Sequence, residues 1–415
     1  MPTTTFHPDG AALLCDAVPL SDIARAEGTP VYVYSAAAID RAYAAVDAAF
    51  ASYPHRLHYA LKANSTLAIA CRLRRLGSGI DANSVGEIEV ALRAGFAPDD
   101  IVFTGVGKRD DELERAITLG VHAVNAESRG EIDRIAGMSH ARGLRARVAL
   151  RINPDVDAGS HPYITTGVGS SKFGVPFAQA AALCHEIAAN PALHLVGLHA
   201  HVGSQILKVE PLQRAAGMLV RLACGLRDAG IVIEHVDVGG GVGIPYDGGP
   251  GLSLDAYAAG ILSVVRPSGL ALLLEPGRVI MAPAGVLLTR VVDIKSRASG
   301  ADLAVVDAGM TELIRPALYG AYHRIDPIVR RPGGDHLYEI VGPLCETSDT
   351  FGKARPMPPL EVGDVLAVRD AGAYGSVMAS NYNRRPFAPE MLVEGGCWRT
   401  IRRRQTIDEL MNLEQ

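Results

Sequence analysis

Short apolar runs alternate with amphipathic segments through the first two thirds of the chain. The amphipathic segments place apolar residues at positions i, i+3, i+4 and i+7, which is the spacing of one face of an α-helix. Examples are STLAIACRLRRLG, VGEIEVALRAG and RDDELERAITLG. The short runs between such segments are typical of buried strands. These strand-like runs are HYALKA (58–63), GIDANS (79–84), IVFTGV (101–106), HAVNAE (122–127), RVALRI (147–152), VGLHAHVG (196–203), HVDVGG (235–240) and ALLLEPG (271–277).

This alternation predicts an α/β fold. Each strand followed by a helix is one βα unit, and eight such units close into a (β/α)₈ TIM barrel. We therefore expect residues 36–278 to form a barrel domain.

The pattern changes after Arg278. Strand-like segments with Gly and Pro between them then predominate, and little helix is expected before TIDELMNLEQ near the end of the chain. PVYVYS, before residue 36, reads as a further strand. We expect residues 1–35 and 279–415 to form a second, β-rich domain that takes in both ends of the chain.

Composition excludes several classes of protein. The 415 residues carry a net charge of −5, so there is no basic excess that would indicate nucleic-acid binding. The six cysteines are scattered and form no C-x-x-C pair, which argues against a disulfide scaffold or a zinc ribbon. The first residues resemble no secretory signal, and no apolar run approaches 18 residues. We expect a cytoplasmic enzyme that binds no membrane.

Candidate functional residues follow the predicted strands. In a (β/α)₈ barrel the active site lies at the carboxyl ends of the strands. Each candidate alone has an ordinary structural explanation, such as a turn or a surface lysine, but their coincidence at one rim favours a site. They are Lys62, Asp81, Ser84, Glu127, Arg151, His199, His201, Gly239–Gly241 and Glu275–Arg278.

The chemistry of this rim indicates pyridoxal phosphate. The glycines of VGGGVGIPY allow backbone N–H groups to approach a phosphate closely. Lys62, desolvated in a barrel mouth, is suited to form a Schiff base. Glu275 is suited to keep a pyridine nitrogen protonated. We expect no metal site, because H-E-x-x-H is absent and His199 and His201 are expected on one strand face without a supporting Cys.

Several motifs together resemble the fold-type III pyridoxal-phosphate-dependent decarboxylases. The resemblance spans roughly residues 10–400, and the motifs occur in the family's order. It implies an alanine-racemase-like barrel followed by a C-terminal β-domain. The motifs are YALKAN (59–64), HVGSQ (201–205), GGGVGIPY (239–246), EPGR (275–278), GPLCETSDTFGK (342–353) and NYNRRPFAPEMLV (381–393).

The resemblance implies a role for each cofactor-binding residue. Lys62 would form the Schiff base, His201 would stack on the cofactor ring and Glu275 would pair with the pyridine nitrogen. Asp81 and Arg151 would support the lysine and the ring. The phosphate would be held by Ser204, the amides of Gly239, Gly240 and Gly241, the loop from Glu275 through Gly277 to Arg278, and the hydroxyl of Tyr374.

The resemblance also implies a set of substrate-binding residues. Cys345 would give a proton to the decarboxylated carbon and would be contributed across a homodimer interface. Glu346 would bind the far amino group of an amino-acid substrate. Arg278, Arg315 and Tyr319 would bind its far carboxylate, with Tyr374 beside them.

Three features favour one reaction within the family. The family's racemases carry Arg where Glu275 stands here, so Glu275 favours decarboxylation. Arg315 can grip a distal carboxylate bidentately, and LIRPALYGAYHRI (313–325) and CETSD (345–349) are most similar to members that convert meso-2,6-diaminopimelate to L-lysine and CO₂.

Two other functions stay open at this point. One is decarboxylation of ornithine, lysine, carboxynorspermidine or a siderophore precursor. The other is pyridoxal phosphate binding without catalysis. The sequence also departs from the family pattern at Asn83 and at the Gly-Ser-Ser of HPYITTGVGSSKFGV (161–175), which leaves the exact substrate open.

Overall fold

The computed structural model describes residues 5–157, 159, 161–169 and 171–414. The chain forms two compact units. Unit 1 comprises Met1–Ala42, Pro245–Gly249 and Ile280–Gln415, and unit 2 comprises Tyr43–Ile244 and Pro250–Val279.

Strands occur in both units and are numbered in chain order. They are β1 (Phe6–Asp9), β2 (Ala12–Cys15), β3 (Val18–Pro19), β4 (Val31–Ser35), β5 (His55–Ala60), β6 (Gly79–Ala82), β7 (Ile101–Phe103), β8 (Ala123–Ala126), β9 (Ala146–Asn153), β10 (Val175–Pro176), β11 (Leu193–His199), β12 (His235–Asp237), β13 (Ala271–Leu274), β14 (Gly285–Lys295), β15 (Asp302–Val306), β16 (Ile325–Pro327), β17 (His336–Val341), β18 (Thr350–Met357), β19 (Val365–Val368), β20 (Glu390–Glu394) and β21 (Cys397–Arg402).

The α-helices are numbered in the same way. They are α1 (Leu20–Glu27), α2 (Ala36–Phe50), α3 (Leu67–Arg75), α4 (Val85–Ala94), α5 (Asp110–Leu119), α6 (Arg129–Ala141), α7 (Phe177–Ala189), α8 (Val209–Asp228), α9 (Leu254–Val265), α10 (Arg278–Met281), α11 (Arg315–Tyr319) and α12 (Ile407–Met411). No helix in the described part of the chain combines the length and the apolar composition needed to cross a membrane.

Unit 2 is a closed barrel of parallel strands. Within the described residues, the strands pair in the order β5, β6, β7, β8, β9, β11, β12 and β13, and β13 pairs with β5 to close the ring. A helix follows each of these strands, from α3 after β5 to α10 after β13. The predicted (β/α)₈ barrel is confirmed, and each predicted run overlaps one of its strands.

The barrel helices begin and end at residues that the sequence explains. The Ser84 hydroxyl accepts the Glu87 amide at 3.2 Å and caps α4, and Ser128 caps α6 through Glu131 in the same way. Gly95 ends α4 in the left-handed region at φ 89°. Ser84, one of the strand-end candidates, therefore acts as a helix cap.

The strand predicted to carry both candidate histidines ends earlier than the sequence predicts. β11 ends at His199, which is the last residue paired with β12, opposite Asp237. His201 lies in the following loop. The expectation that both histidines share one strand face is therefore wrong, because pairing stops where β12 ends.

Unit 1 is β-rich and includes both ends of the chain. Its main sheet runs β18-β17-β15-β14-β4-β20-β21, with β19 paired to β14 and β16, and a separate sheet runs β1-β2-β3. The N-terminal strand β4 lies between β14 and β20, which confirms that the N-terminal segment joins the β-rich domain. Its core includes Leu20, Ile23, Val31, Val33, Val286, Leu288, Ala367 and Met391.

Candidate functional site

Lys62 lies at the carboxyl end of β5 and reaches a buried carboxylate. It belongs to one turn of 3₁₀ helix, Leu61–Ala63, that follows the strand directly. Its Nζ donates to Asp81 Oδ2 at 2.8 Å and to Asn83 Oδ1 at 3.4 Å. Asn83 Nδ2 also donates to Asp81 Oδ2, at 3.1 Å. Asn83, which departs from the family pattern, thus links the other two residues.

The Lys62–Asp81 contact is an ion pair. The Asp81 side chain is fully buried, whereas that of Lys62 is 33% exposed. Burial by itself would raise the pKa of Asp81, but the charge and hydrogen bond of Lys62 outweigh it and hold that pKa below its ordinary value. The amine is therefore held in place by an ionised partner.

Glu275 follows β13 and is buried. Its Oε2 lies 3.3 Å from His199 Nε2, and its Oε1 has no hydrogen-bond partner among the described residues. Burial raises the pKa of Glu275, the Asp81 carboxylate raises it further, and the Lys62 charge offsets part of the effect. A buried, largely neutral carboxyl group with an unused oxygen is suited to bind a polar group of a ligand.

A third buried acid lies beside Glu275. Ligand atoms of His199, Asp237 and Glu275 all lie within 4.8 Å of one another. Burial lowers the pKa of His199 to about 4 and raises that of Asp237 well above its ordinary value. Metal binding requires ionised carboxylates, which burial opposes here. The three groups form one buried polar cluster, in which His199 and Glu275 are sequence candidates and Asp237 is not.

The glycine-rich loop after β12 packs directly against the end of β13. A Cβ on Gly240 would lie 2.1 Å from the carbonyl oxygen of Glu275, so only glycine fits there. The Gly239 amide donates to Asp237 Oδ1 at 2.8 Å, and the Gly240 amide donates to His201 Nδ1 at 3.2 Å. Two of the three amides predicted to hold a phosphate thus already have acceptors within the barrel.

The Gly240 contact fixes the protonation of His201. Because Nδ1 accepts a hydrogen bond, the proton of the neutral ring is on Nε2. Burial lowers the pKa of His201 well below its ordinary value, and the charges of Lys62 and Arg151 lower it further. The ring is therefore neutral and held in one orientation.

Ser204 and Arg278 lie together at the same rim. Arg278 Nη2 donates to Ser204 Oγ at 2.8 Å. The neighbouring Gly277 lies against β5, where a Cβ would meet those of Ala60 and Ala63 at 3.1 Å. The two side chains predicted to hold the phosphate are thus in direct contact.

Arg151 is occupied by a structural pair. Its Nη1 donates to Glu127 Oε1 at 2.6 Å, and both side chains are buried. The other Glu127 oxygen accepts the Gly174 amide at 3.0 Å, and the Arg151 guanidinium lies 4.7 Å from the Phe173 ring. Arg151 therefore anchors the end of the 161–175 segment, of which Ser170 lies outside the described residues.

Cys345 lies in unit 1 and is exposed. Asn383 Nδ2 donates to its Sγ at 3.5 Å, and the Tyr382 hydroxyl lies 3.9 Å from the same atom. These two contacts lower the pKa of the thiol, in that order of size. The adjacent Glu346 is also exposed and accepts from Ser348 Oγ at 3.2 Å.

Arg315, in contrast, is buried within unit 1. It begins the short helix α11, and its Nη1 lies 2.7 Å from His323 Nε2. Tyr319, at the other end of α11, is half-buried. Tyr374 belongs to the same unit and has a left-handed backbone, with φ 55°.

The structure thus divides the predicted site residues between the units. Unit 2 brings Lys62 to Asp81, Ser204 to Arg278 and His201 to the Gly240 amide. Unit 1 holds Cys345 and four of the five predicted substrate-binding residues, which are Arg315, Tyr319, Glu346 and Tyr374; the fifth, Arg278, lies in unit 2. Sequence reasoning gave no role to several residues that contact this set, among them Asp237, Tyr246, His323, Tyr382 and Asn383. The last four lie inside motifs already quoted, and Asp237 is only a lone carboxylate in an apolar run.

Comparison with known proteins identifies the family. The family described as "Pyridoxal-dependent decarboxylase, pyridoxal binding domain" matches residues 36–282. The chain is 44% identical over 410 residues to diaminopimelate decarboxylase of Vibrio cholerae, covering 99% of this chain and 98% of the relative. It is 45% identical to the enzyme of the same name from Pseudomonas aeruginosa, covering 98% and 97%.

A solved structure agrees with the sequence relatives. Diaminopimelate decarboxylase from Helicobacter pylori, complexed with L-lysine, superposes with a TM-score of 0.92 at 40% identity. The match covers 95% of this chain and 99% of that one.

Proposed function

The chain belongs to the pyridoxal-dependent decarboxylases, and we propose that it converts meso-2,6-diaminopimelate to L-lysine and CO₂. The full-length similarity to diaminopimelate decarboxylases supports this substrate. Within the structure, the observation that carries the proposal is the buried Glu275 carboxyl group, whose Oε1 lacks a partner in the described chain, at the same barrel rim as the Lys62 amine.

The barrel rim fits pyridoxal phosphate, the cofactor of this family. The Lys62 amine, beside the Asp81 carboxylate, matches the cofactor's aldehyde. The buried Glu275 Oε1, which has no partner among the described residues, matches its ring nitrogen. The Ser204 hydroxyl, beside Arg278, matches its phosphate. When bound, the cofactor supplies an electron sink for the charge left on carbon as CO₂ departs.

Lys62, His201 and Glu275 would hold the cofactor's reactive part. Lys62 would bind it covalently through Nζ, with Asp81 keeping that nitrogen in position. The neutral His201 ring would pack against its face. Glu275 would accept a hydrogen bond at Oε1 from the protonated ring nitrogen, because a positive charge there favours the ionised carboxylate. We propose that His199 and Asp237 keep that carboxyl group oriented.

The remaining cofactor-binding residues would hold the phosphate. We propose Ser204, Arg278, Gly277 and Tyr374 for this role, with the backbone of Gly239–Gly241. The Gly239 and Gly240 amides donate to Asp237 and His201, so these two amides also fix the conformation of the glycine-rich loop. Arg151 would act indirectly, through the segment it anchors.

Cys345 would deliver the proton that replaces CO₂. Its thiol is exposed in the single chain, and Asn383 and Tyr382 hold its sulfur. We propose that the protein is a homodimer in which Cys345 and Glu346 complete the site of the partner subunit. The exposure of both side chains in one chain supports this arrangement.

The substrate's far end would be recognised by charge. Arg315, Arg278 and Tyr319 would bind the distal carboxylate, and Glu346 would bind the distal ammonium. A substrate without a distal carboxylate would leave Arg315 without its anionic partner, and this favours diaminopimelate over ornithine or lysine. The domain limits at residues 36 and 278 and the cytoplasmic location stay predictions.

Product analysis tests the proposed function. We expect the purified protein, supplied with pyridoxal phosphate and meso-2,6-diaminopimelate, to release CO₂ and lysine in equal amounts. CO₂ release measured manometrically and lysine measured by chromatography give the ratio. No CO₂ from diaminopimelate, with the cofactor bound, would contradict the proposal.

A further inference from the structure

Arg315 is held in unit 1 along one edge of its guanidinium group. The side chain is buried, with 4% of its surface exposed. Its Nη1 lies 2.7 Å from Nε2 of His323, which is completely buried. Arginine can only donate hydrogen bonds, so His323 Nε2 must be the acceptor.

This contact determines the state of His323. With a lone pair on Nε2, the neutral ring must carry its proton on Nδ1. His323 Nδ1 lies 2.7 Å from the carbonyl oxygen of Arg369, which accepts that proton's hydrogen bond. The Arg369 side chain is itself fixed, since it donates to Asp326 at 2.8 Å and to the Phe6 carbonyl at 2.9 Å. His323 is therefore a rigid acceptor for Arg315.

A second residue contacts the face of the same guanidinium group. The Tyr246 ring lies 4.5 Å from the Arg315 guanidinium carbon, and it packs edge-on against His323 with ring centroids 5.1 Å apart. Tyr246 is nearly buried and belongs to unit 1 through the short segment Pro245–Gly249. Stacking of this kind fixes the plane of an arginine.

Together, the two contacts leave the Arg315 side chain little orientational freedom. His323 fixes one edge of the guanidinium group, and Tyr246 fixes its plane. A guanidinium group has five N–H donors, and the His323 contact uses one of them. An arginine already held in one geometry loses less entropy when it grips a ligand.

We propose that His323 and Tyr246 are positioning residues that preset Arg315 for the distal carboxylate of the substrate and thereby determine specificity. This inference rests on the proposed function, because Arg315 must bind that carboxylate for its orientation to matter. Neither residue is assigned contact with the reacting carbon. Their loss should therefore weaken substrate binding without slowing the chemical step.

Steady-state kinetics of the holoenzyme with meso-2,6-diaminopimelate test the inference. We expect His323→Phe to raise KM roughly 3- to 10-fold, the cost of ordering one long side chain, with kcat within about twofold. His323→Gln should recover part of the loss, since its amide offers an acceptor and a donor. Tyr246→Leu should also raise KM while leaving His323 intact.

Matched variants in the same unit serve as controls. His336 is an exposed histidine, and Tyr322 stacks on a different arginine, Arg355, at 3.8 Å. His336→Gln and Tyr322→Leu should leave KM unchanged. If His323→Phe does not yield folded protein, Tyr246→Leu and His323→Gln decide the question.

The possible outcomes separate two failures. Wild-type protein that releases no CO₂ from diaminopimelate contradicts the proposed function. Normal wild-type turnover with an unchanged KM in the folded variants overturns only the present inference. A fall in kcat at constant KM also overturns it, because orientation of a binding residue would not produce that result.

Discussion

The two candidate regions of this protein differ in how complete they are within one chain. At the barrel rim, the polar side chains are paired with one another, and all but that of Lys62 are buried: Asp81 with Lys62, His199 beside Glu275, and Arg151 with Glu127. Around Cys345 the side chains are exposed, and the contacts to its sulfur are long, at 3.5 and 3.9 Å.

This difference indicates what each region requires. The barrel places its candidate residues at strand ends of a closed sheet, and we propose that the cofactor binds at Glu275 Oε1. In the described part of the chain the side chains of Cys345 and Glu346 are exposed. We propose that a partner subunit covers them.

The largest expected effect lies in the barrel. Lys62→Ala should lower kcat by roughly a thousandfold or more, because covalent attachment of the cofactor is lost. The visible absorbance of the bound cofactor should disappear together with the activity. Lys208→Ala, which changes an exposed barrel lysine, is the control. Full turnover by Lys62→Ala would show that the barrel rim is not the reaction centre.

The second effect tests the exposed region. Cys345→Ala should lower kcat roughly 100- to 10,000-fold, the usual contribution of a general acid, and should leave the cofactor absorbance intact. Cys397→Ala, at another exposed cysteine, should behave as wild type.

Mixing these two variants sharpens the comparison. Random dimers of Lys62→Ala and Cys345→Ala chains should recover up to about a quarter of the wild-type activity, because half are hybrids with one intact site. No recovery after proven subunit exchange would mean that each chain builds its own complete site.

The third effect concerns substrate binding. Arg315→Lys should raise KM for diaminopimelate roughly 10- to 100-fold, because a bidentate charged contact is lost, with little change in kcat. Arg324→Lys, at an exposed arginine nearby in the chain, is the matched control. An unchanged KM would make Arg315 a purely structural residue.

The smallest effect is a change in pH dependence. Cys345 must be protonated to act as an acid, so kcat should fall as pH rises through its pKa. Asn383 lowers that pKa by donating to the sulfur. Asn383→Ala should therefore raise the pKa and move the alkaline limb of the kcat profile to higher pH. An alkaline limb that stays in place, with Asn412→Ala as control, would remove Cys345 from the proton-transfer step.

The sequence predicted the barrel well because its signals are local. Helical spacing and short strand runs repeat along the chain, and a lysine or a glutamate at a strand end can be read directly. The sequence does not locate the end of β11, because that end depends on pairing with β12, a strand more than 30 residues away in the chain. Local pattern carries no information about such pairing.

The supporting residues were harder to predict for the same reason. Asn383 contacts Cys345 across 38 positions, and Tyr246 meets Arg315 from a separate segment of the chain. An asparagine or a tyrosine is common on any surface, so residue type alone does not single these positions out. Their roles depend on distances between separate segments of the chain, which residue type does not encode.

We propose above all that this protein decarboxylates meso-2,6-diaminopimelate in preference to diamino acids that lack a distal carboxylate. The most direct test is kcat/KM of the wild-type holoenzyme for meso-2,6-diaminopimelate, L-lysine and L-ornithine under identical conditions. We expect diaminopimelate to exceed both by roughly a thousandfold or more, since the other substrates leave buried charges unpaired. Values for lysine or ornithine within tenfold of diaminopimelate would contradict the claim.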